Sequence, residues 1–174
     1  MNTLEAIYSR RSCKNFDPEK PVPQDIVQKI CEAGTKAASG MNKQAAKIIV
    51  INNKEIRDLI VEKNAEIMER PGVDTFYGAQ QIICVVGNTD VYTRVYDGSL
   101  VLGNMMLAAE ELGIGSCWIH RAKQFFEMPE GKEVLAKAGL EGNYEGIGNL
   151  AIGYPLGEKR PDPAISPNYI NYIN

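Results

Sequence analysis

One run constrains this chain most: Gly98-Ser99-Leu100-Val101-Leu102-Gly103-Asn104-Met105-Met106-Leu107-Ala108-Ala109. Placed on a helix it is apolar on nearly every side. A helix without a polar face must be wrapped by other elements, so the run predicts a central, buried helix. Asp90 is placed to cap it, the helix extends over about 91–112, and Gly113 suits the position just past its end. Gly98, Gly103 and Ala108 permit close helix–helix approach. The chain has 174 residues, 44% hydrophobic and 24% charged. That is enough for one core around such a helix, and residues 1–174 are read as a single domain.

The rest of the chain alternates helix and strand patterns. Asn2 and Glu5 have capping-box spacing, and a short helix follows through about Ser9. Pro23 fits the first turn of a second helix ending near Ala37, with Ile26, Val27, Ile30 and Cys31 as its apolar stripe. Apolar runs at 47–52, 81–86, 115–120 and 150–155 read as strands. Segments 54–69 and 129–138 read as amphipathic helices. The tail 157–174 has several prolines and little periodicity. The pattern gives an α/β or α+β class, and periodicity does not set the order of the sheet.

Composition excludes several functions. Nineteen Lys+Arg against 22 Asp+Glu give a net charge of −3, which offers no general attraction to nucleic acid or anionic membrane. No segment is apolar for long enough to span a bilayer, and the first residues do not read as a secretory signal, so the expectation is a cytoplasmic protein. Cys13, Cys31, Cys84 and Cys117 form no C-x-x-C pair and His120 is the only histidine, which leaves no structural zinc pattern. No G-x-G-x-x-G marks a Rossmann site.

Three constellations carry chemistry. Arg10, Arg11 and Lys14 flank Ser12, and Lys159-Arg160 lies far along the chain. Brought together, they would cradle a phosphate; apart, they are solvated surface charge. Residues 37–44 form a loop of small and amide side chains that lets backbone approach a ligand, or simply ends a helix. Gly113 and Gly115 precede a strand carrying Cys117, Trp118, Ile119 and His120. Trp118 is either core or packed beside a flat ring. Cys117, in an apolar run, reads as core rather than nucleophile.

Four segments in order resemble the nitroreductase-like FMN enzymes: Arg10-Arg11-Ser12-Cys13-Lys14-Asn15-Phe16, Ala38-Ser39-Gly40-Met41-Asn42-Lys43-Gln44, Gly113-Ile114-Gly115-Ser116-Cys117-Trp118-Ile119 and Ala151-Ile152-Gly153-Tyr154-Pro155. The length resembles the short branch of that family. The resemblance implies an α+β fold, with a mixed central sheet wrapped by helices around a long buried helix. It also implies an intertwined homodimer with FMN at the subunit interface and the tail reaching across to the partner.

Site residues follow from the same resemblance. Arg10 and Ser12 would hold the FMN phosphate, completed by Lys159 and Arg160. Arg11 would reach the phosphate or the ribityl chain, and Lys14 the flavin N1–C2 edge. Ala38, Ser39, Gly40, Asn42 and Gln44 would come from the other subunit. Cys117, Trp118, Ile119 and His120 would face the ring through their strand, with His120 donating its backbone N–H. No side chain is assigned as catalytic, because hydride passes through flavin N5. The implied activity is ping-pong reduction of a small acceptor, such as a nitroaromatic or quinone, by NADH or NADPH. A flavin binder without turnover, or a relative specific for one metabolite, dehalogenation or flavin processing, is the alternative. The chain departs from the family at Ala38, where proline is common, and at Ala45-Ala46, where Pro-Trp is common. Both changes imply a roomier pocket. Residues 73–79 show no clear counterpart to the family's polar flavin contacts.

Overall fold

The computed structural model describes residues 2–173. In chain order the elements are α1 (Thr3–Ser9), α2 (Gln24–Gly34), β1 (Ala46–Ile51), α3 (Lys54–Ile67), β2 (Gln81–Asn88), α4 (Arg94–Glu111), β3 (Gly115–Ile119), α5 (Ala122–Glu127), α6 (Pro129–Lys137) and β4 (Tyr144–Gly153). The strands form one sheet in the order β1-β2-β4-β3.

Strand β2 shows why the sheet is central. Ile82, Ile83, Cys84, Val85 and Val86 are all fully buried, as expected of a strand covered on both faces. Alternate side chains divide between two cores. Ile82, Cys84 and Val86 join Ile60 of α3, Phe125 and Phe126 of α5, and Leu135 of α6. Ile83 and Val85 join Val27 and Ile30 of α2 with Leu102 and Met105 of α4. A β-bulge interrupts the β2–β4 register, with Val85 opposite Gly148 and Val86 opposite Gly146. The flanking glycines are required: a Cβ at Gly146 would stand 2.2 Å from the Ala122 carbonyl oxygen, and one at Gly148 would stand 2.5 Å from Trp118 Nε1.

Several sequence expectations change. Among the described residues all strand pairs are antiparallel, so the implied mixed character survives only in a parallel bridge between Ser12 and Ser116. Helix α4 starts at Arg94 behind Thr93, not behind Asp90. The Asp90 backbone instead donates to Asn88 Oδ1 at 2.9 Å, within the turn that precedes the helix. Helix α4 is also not covered all round in the single chain: Tyr92 just before it, then Val95, Tyr96 and Leu100, are exposed. Gly98 serves strand packing instead of helix packing, since a Cβ there would meet Ile147 of β4 at 2.8 Å. Helix α2 ends at Gly34, three residues early. Strand β4 starts at Tyr144, six residues early, where glycines had hidden it, and α5 had no periodic signal in its six residues. Residues 156–173 form no helix or strand and are exposed throughout.

Candidate functional site

One side of the candidate cavity is built where the chain leaves α1. The capping box is present in both directions: Glu5 N donates to Asn2 Oδ1 at 3.0 Å, and Asn2 N donates to Glu5 Oε2 at 2.9 Å. After Ser9 the backbone turns extended at Arg10. Ser12 then bridges Ser116 of β3, and Cys13 N donates to the Ser116 carbonyl at 2.9 Å. Phe16 bridges Pro155, and Leu156 N donates to the Asn15 carbonyl at 3.0 Å. The segment is thus strung between β3 and the end of β4. That draws residues 11–15, 113–115 and 155–160 around one cavity of about 510 Å³. The size suits a small organic ligand.

Arg11, Ser12, Lys14, Lys159 and Arg160 all line this cavity. Residues almost 150 positions apart thus line one cavity. Arg11, whose direction the sequence left open, is largely buried. Its Nη1 donates to the carbonyls of Tyr8 at 2.7 Å and Arg10 at 2.8 Å, and its Nη2 pairs with Asp162. Its Nε is buried with no hydrogen-bond partner. Such an orphaned cationic donor beside a hydroxyl and three further cations fits an oxyanion. Ile114 and Leu156 add apolar surface to the lining. At Gly115 a Cβ would stand 2.9 Å from Cys13 Cβ, so the floor there must be bare backbone. A lining that combines cationic donors with apolar surface fits a group with a phosphate and a ring system.

Glu110 also lines the cavity. Ser9 Oγ donates to its Oε1 at 2.7 Å, and Lys159 pairs with the same oxygen. Burial opposes ionisation of Glu110, but Lys159, Ser9 and Arg10 outweigh it and hold the carboxyl below its ordinary range. Lys14 Nζ lies 5.5 Å from the centre of the Tyr77 ring. Segment 73–79 therefore stands beside Lys14. It is shaped by Asp74, whose carboxylate accepts from Phe76 N and Gly78 N, both at 2.8 Å.

Other sequence candidates stand elsewhere. Arg10 does not line the cavity, although its charge reaches Glu110. Cys117 and Ile119 are buried in the core beneath the sheet, and Trp118 packs over Gly148 on the other face. His120 is exposed, and its carbonyl accepts from Asn64 Nδ2 at 2.9 Å. Burial raises the thiols of Cys13 and Cys117, pushes Cys31 up to about 11 and Cys84 up to about 12, so none is a ready thiolate. Among the described residues no cluster of three metal-ligating side chains occurs, and no helix is long and apolar enough to cross a membrane.

The loop with Ala38, Ser39, Gly40, Asn42 and Gln44 does not line the cavity either. It is fastened to the opposite end of α4. Ser39 Oγ donates to Asp97 Oδ2 and Gly40 N to Asp97 Oδ1, each at 3.1 Å. Asp97, Glu110 and Asp162 were missed in the sequence. Asp97 and Glu110 sit near the two ends of a helix whose middle is largely apolar, and that placement was the available signal.

The chain matches the model of the Nitroreductase family over residues 7–154. It is similar over its whole length to a nitroreductase with bound FMN from Bacteroides fragilis, at 25% identity and a TM-score of 0.89, each chain covered to 100%. A nitroreductase with bound FMN from Desulfitobacterium hafniense gives 29% identity and a TM-score of 0.85, again with 100% of both chains. A putative NADH dehydrogenase/NAD(P)H nitroreductase from Archaeoglobus fulgidus is 27% identical, over 97% of this chain and 95% of its own.

Proposed function

This chain belongs to the nitroreductase family, and from that premise we propose that it is an FMN-dependent oxidoreductase that takes hydride from NADH or NADPH and reduces a small acceptor such as a nitroaromatic or quinone. The observation that carries the reading is the cavity that joins Arg11, Ser12 and Lys14 to Lys159 and Arg160. When bound, FMN supplies the two-electron chemistry at its N5 atom.

The chain's own residues bind and orient. Arg11, Ser12, Lys159 and Arg160 are assigned to the phosphate, with Arg10 adding charge from just outside. Lys14 is assigned to the redox end of the flavin, where a cation stabilises added negative charge.

The active unit we propose is a homodimer. Asp97 anchors the 39–44 loop and Glu110 lines the cradle. At a helical rise of about 1.5 Å, the 13 positions from 97 to 110 put about 20 Å between loop and cradle within one chain. A twofold axis across the middle of α4 brings one protomer's loop to the partner's cradle. The surface needed for this is present: Tyr92, Val95, Tyr96 and Leu100 are exposed together, and a Cβ at Gly103 would meet nothing within 4 Å. The tail, with Ile165, Tyr169, Ile170, Tyr172 and Ile173 exposed, is suited to wrap the partner.

The visible spectrum of the purified protein tests the reading. A yellow protein that bleaches with NADH or NADPH without oxygen, and recovers with a nitro compound or quinone, is the expected result. A protein that takes up no FMN refutes it.

A further inference from the structure

We propose that Asp97 is a positioning residue that gives the 39–44 loop its ligand-facing shape. The functional half of this rests on the flavin reading above. Asp97 is 4% exposed and sits in the first turn of α4. Three neutral donors converge on it: Ser39 Oγ at 3.1 Å, Gly40 N at 3.1 Å and Thr93 Oγ1 at 3.2 Å. Its helix neighbour Arg94 is committed to Glu145 at 2.6 Å. The buried carboxylate is therefore held by the loop's donors, and the loop by the carboxylate.

Ser39 carries the effect to the far end of the loop. Its one proton goes to Asp97, and its oxygen accepts from Gln44 N at 2.8 Å. One hydroxyl thus ties the start of the loop to its end. Between these ties Met41, Asn42 and Gln44 adopt φ values of 50°, 53° and 48°. Left-handed backbone is uphill for side chains other than glycine and persists where the surroundings over-determine it. Gly40 is pressed against Thr93, where a Cβ would stand 2.7 Å from Oγ1.

The outward face that results carries the exposed Met41 thioether and an amide pair, with Gln44 Nε2 donating to Asn42 Oδ1 at 3.0 Å. An apolar group beside an amide pair suits a flat ring with polar edges. The Ser39 hydroxyl, turned inward, leaves recognition to these groups and to backbone.

Asp97→Asn keeps the shape of the side chain but removes one acceptor and the charge. Amide hydrogen exchange on the protein without flavin reads the loop directly. Protection of Gly40 and Gln44 should fall about tenfold while β2 and β4 are unchanged. FMN affinity should fall about tenfold, and on the protein saturated with FMN the KM for a quinone acceptor should rise about tenfold with kcat within about twofold. Ser39→Ala should reproduce both effects more weakly and Ser39→Thr should restore them, which keeps the test available if Asp97→Asn does not fold. Unchanged protection at Gly40 and Gln44 overturns the proposal. Lost protection with FMN affinity and acceptor KM both unchanged overturns its ligand-facing half. A protein that takes up no FMN sinks the oxidoreductase reading alone, since the exchange experiment still judges the loop.

Discussion

Tyr96→Asp tests whether the site is shared between subunits. Tyr96 is 70% exposed in the single chain. A tyrosine offers roughly 200 Å² of surface, so about 140 Å² is available for burial against a partner. At ~25 cal/mol per Å² that amounts to about 3.5 kcal/mol, an upper bound. Ordering the side chain costs about 1 kcal/mol. In a twofold interface the net gain counts twice, so its loss comes to about 5 kcal/mol, or a dimer Kd weakened more than a thousandfold. Sedimentation equilibrium across a concentration series reads the Kd, far-UV circular dichroism checks the fold, and fluorescence titration reads FMN affinity. The expected outcome is a folded monomer that has also lost FMN, because the loop and the cradle of one chain lie at opposite ends of α4. A folded monomer that keeps its FMN affinity refutes the shared site. A wild-type chain that is itself monomeric refutes the dimer.

Three further outcomes follow from the structure. Lys14→Ala should lower the reduction potential of bound FMN while FMN stays bound, and an unchanged potential in a spectroelectrochemical titration removes Lys14 from its assigned role. Glu110 has its carboxyl held below the ordinary range, so its contribution to stability is present at neutral pH and is lost as pH falls through that lowered value. Glu110→Gln should therefore flatten the fall of Tm on acidification, and a parallel fall in both proteins contradicts this. Gly131→Ala should destabilise the fold by about 2–3 kcal/mol and lower Tm by about 5–10 °C in a thermal melt. A Cβ there would stand 2.1 Å from the Phe125 carbonyl oxygen, which is backbone and cannot swing aside.

Much of the fold was legible because its cues are local. The capping box at Asn2–Glu5 formed as read, and β1 and β2 fell on their β-branched runs. Strand β4 was cut short because Gly146 and Gly148 carry no strand propensity. They are glycines because α5 and Trp118 press against them, a tertiary requirement that no window of sequence displays. The apolar girth of α4 was legible, but not which side of it would meet the sheet.

The sequence by itself determined a chain of alternating helices and strands and its main elements, since side-chain chemistry and periodicity are properties of neighbours along the chain; the α+β class and the flavin entered with the resemblance of four ordered segments. Tertiary structure alone decided which cations meet. It joined Arg11 to Lys159 and Arg160 around one cavity, left Arg10 outside, and turned Ser39 inward onto Asp97. It also set the loop and the cradle at opposite ends of one helix. These are relations between residues up to 150 positions apart, fixed by how β3, β4 and α4 pack, and no local rule encodes them.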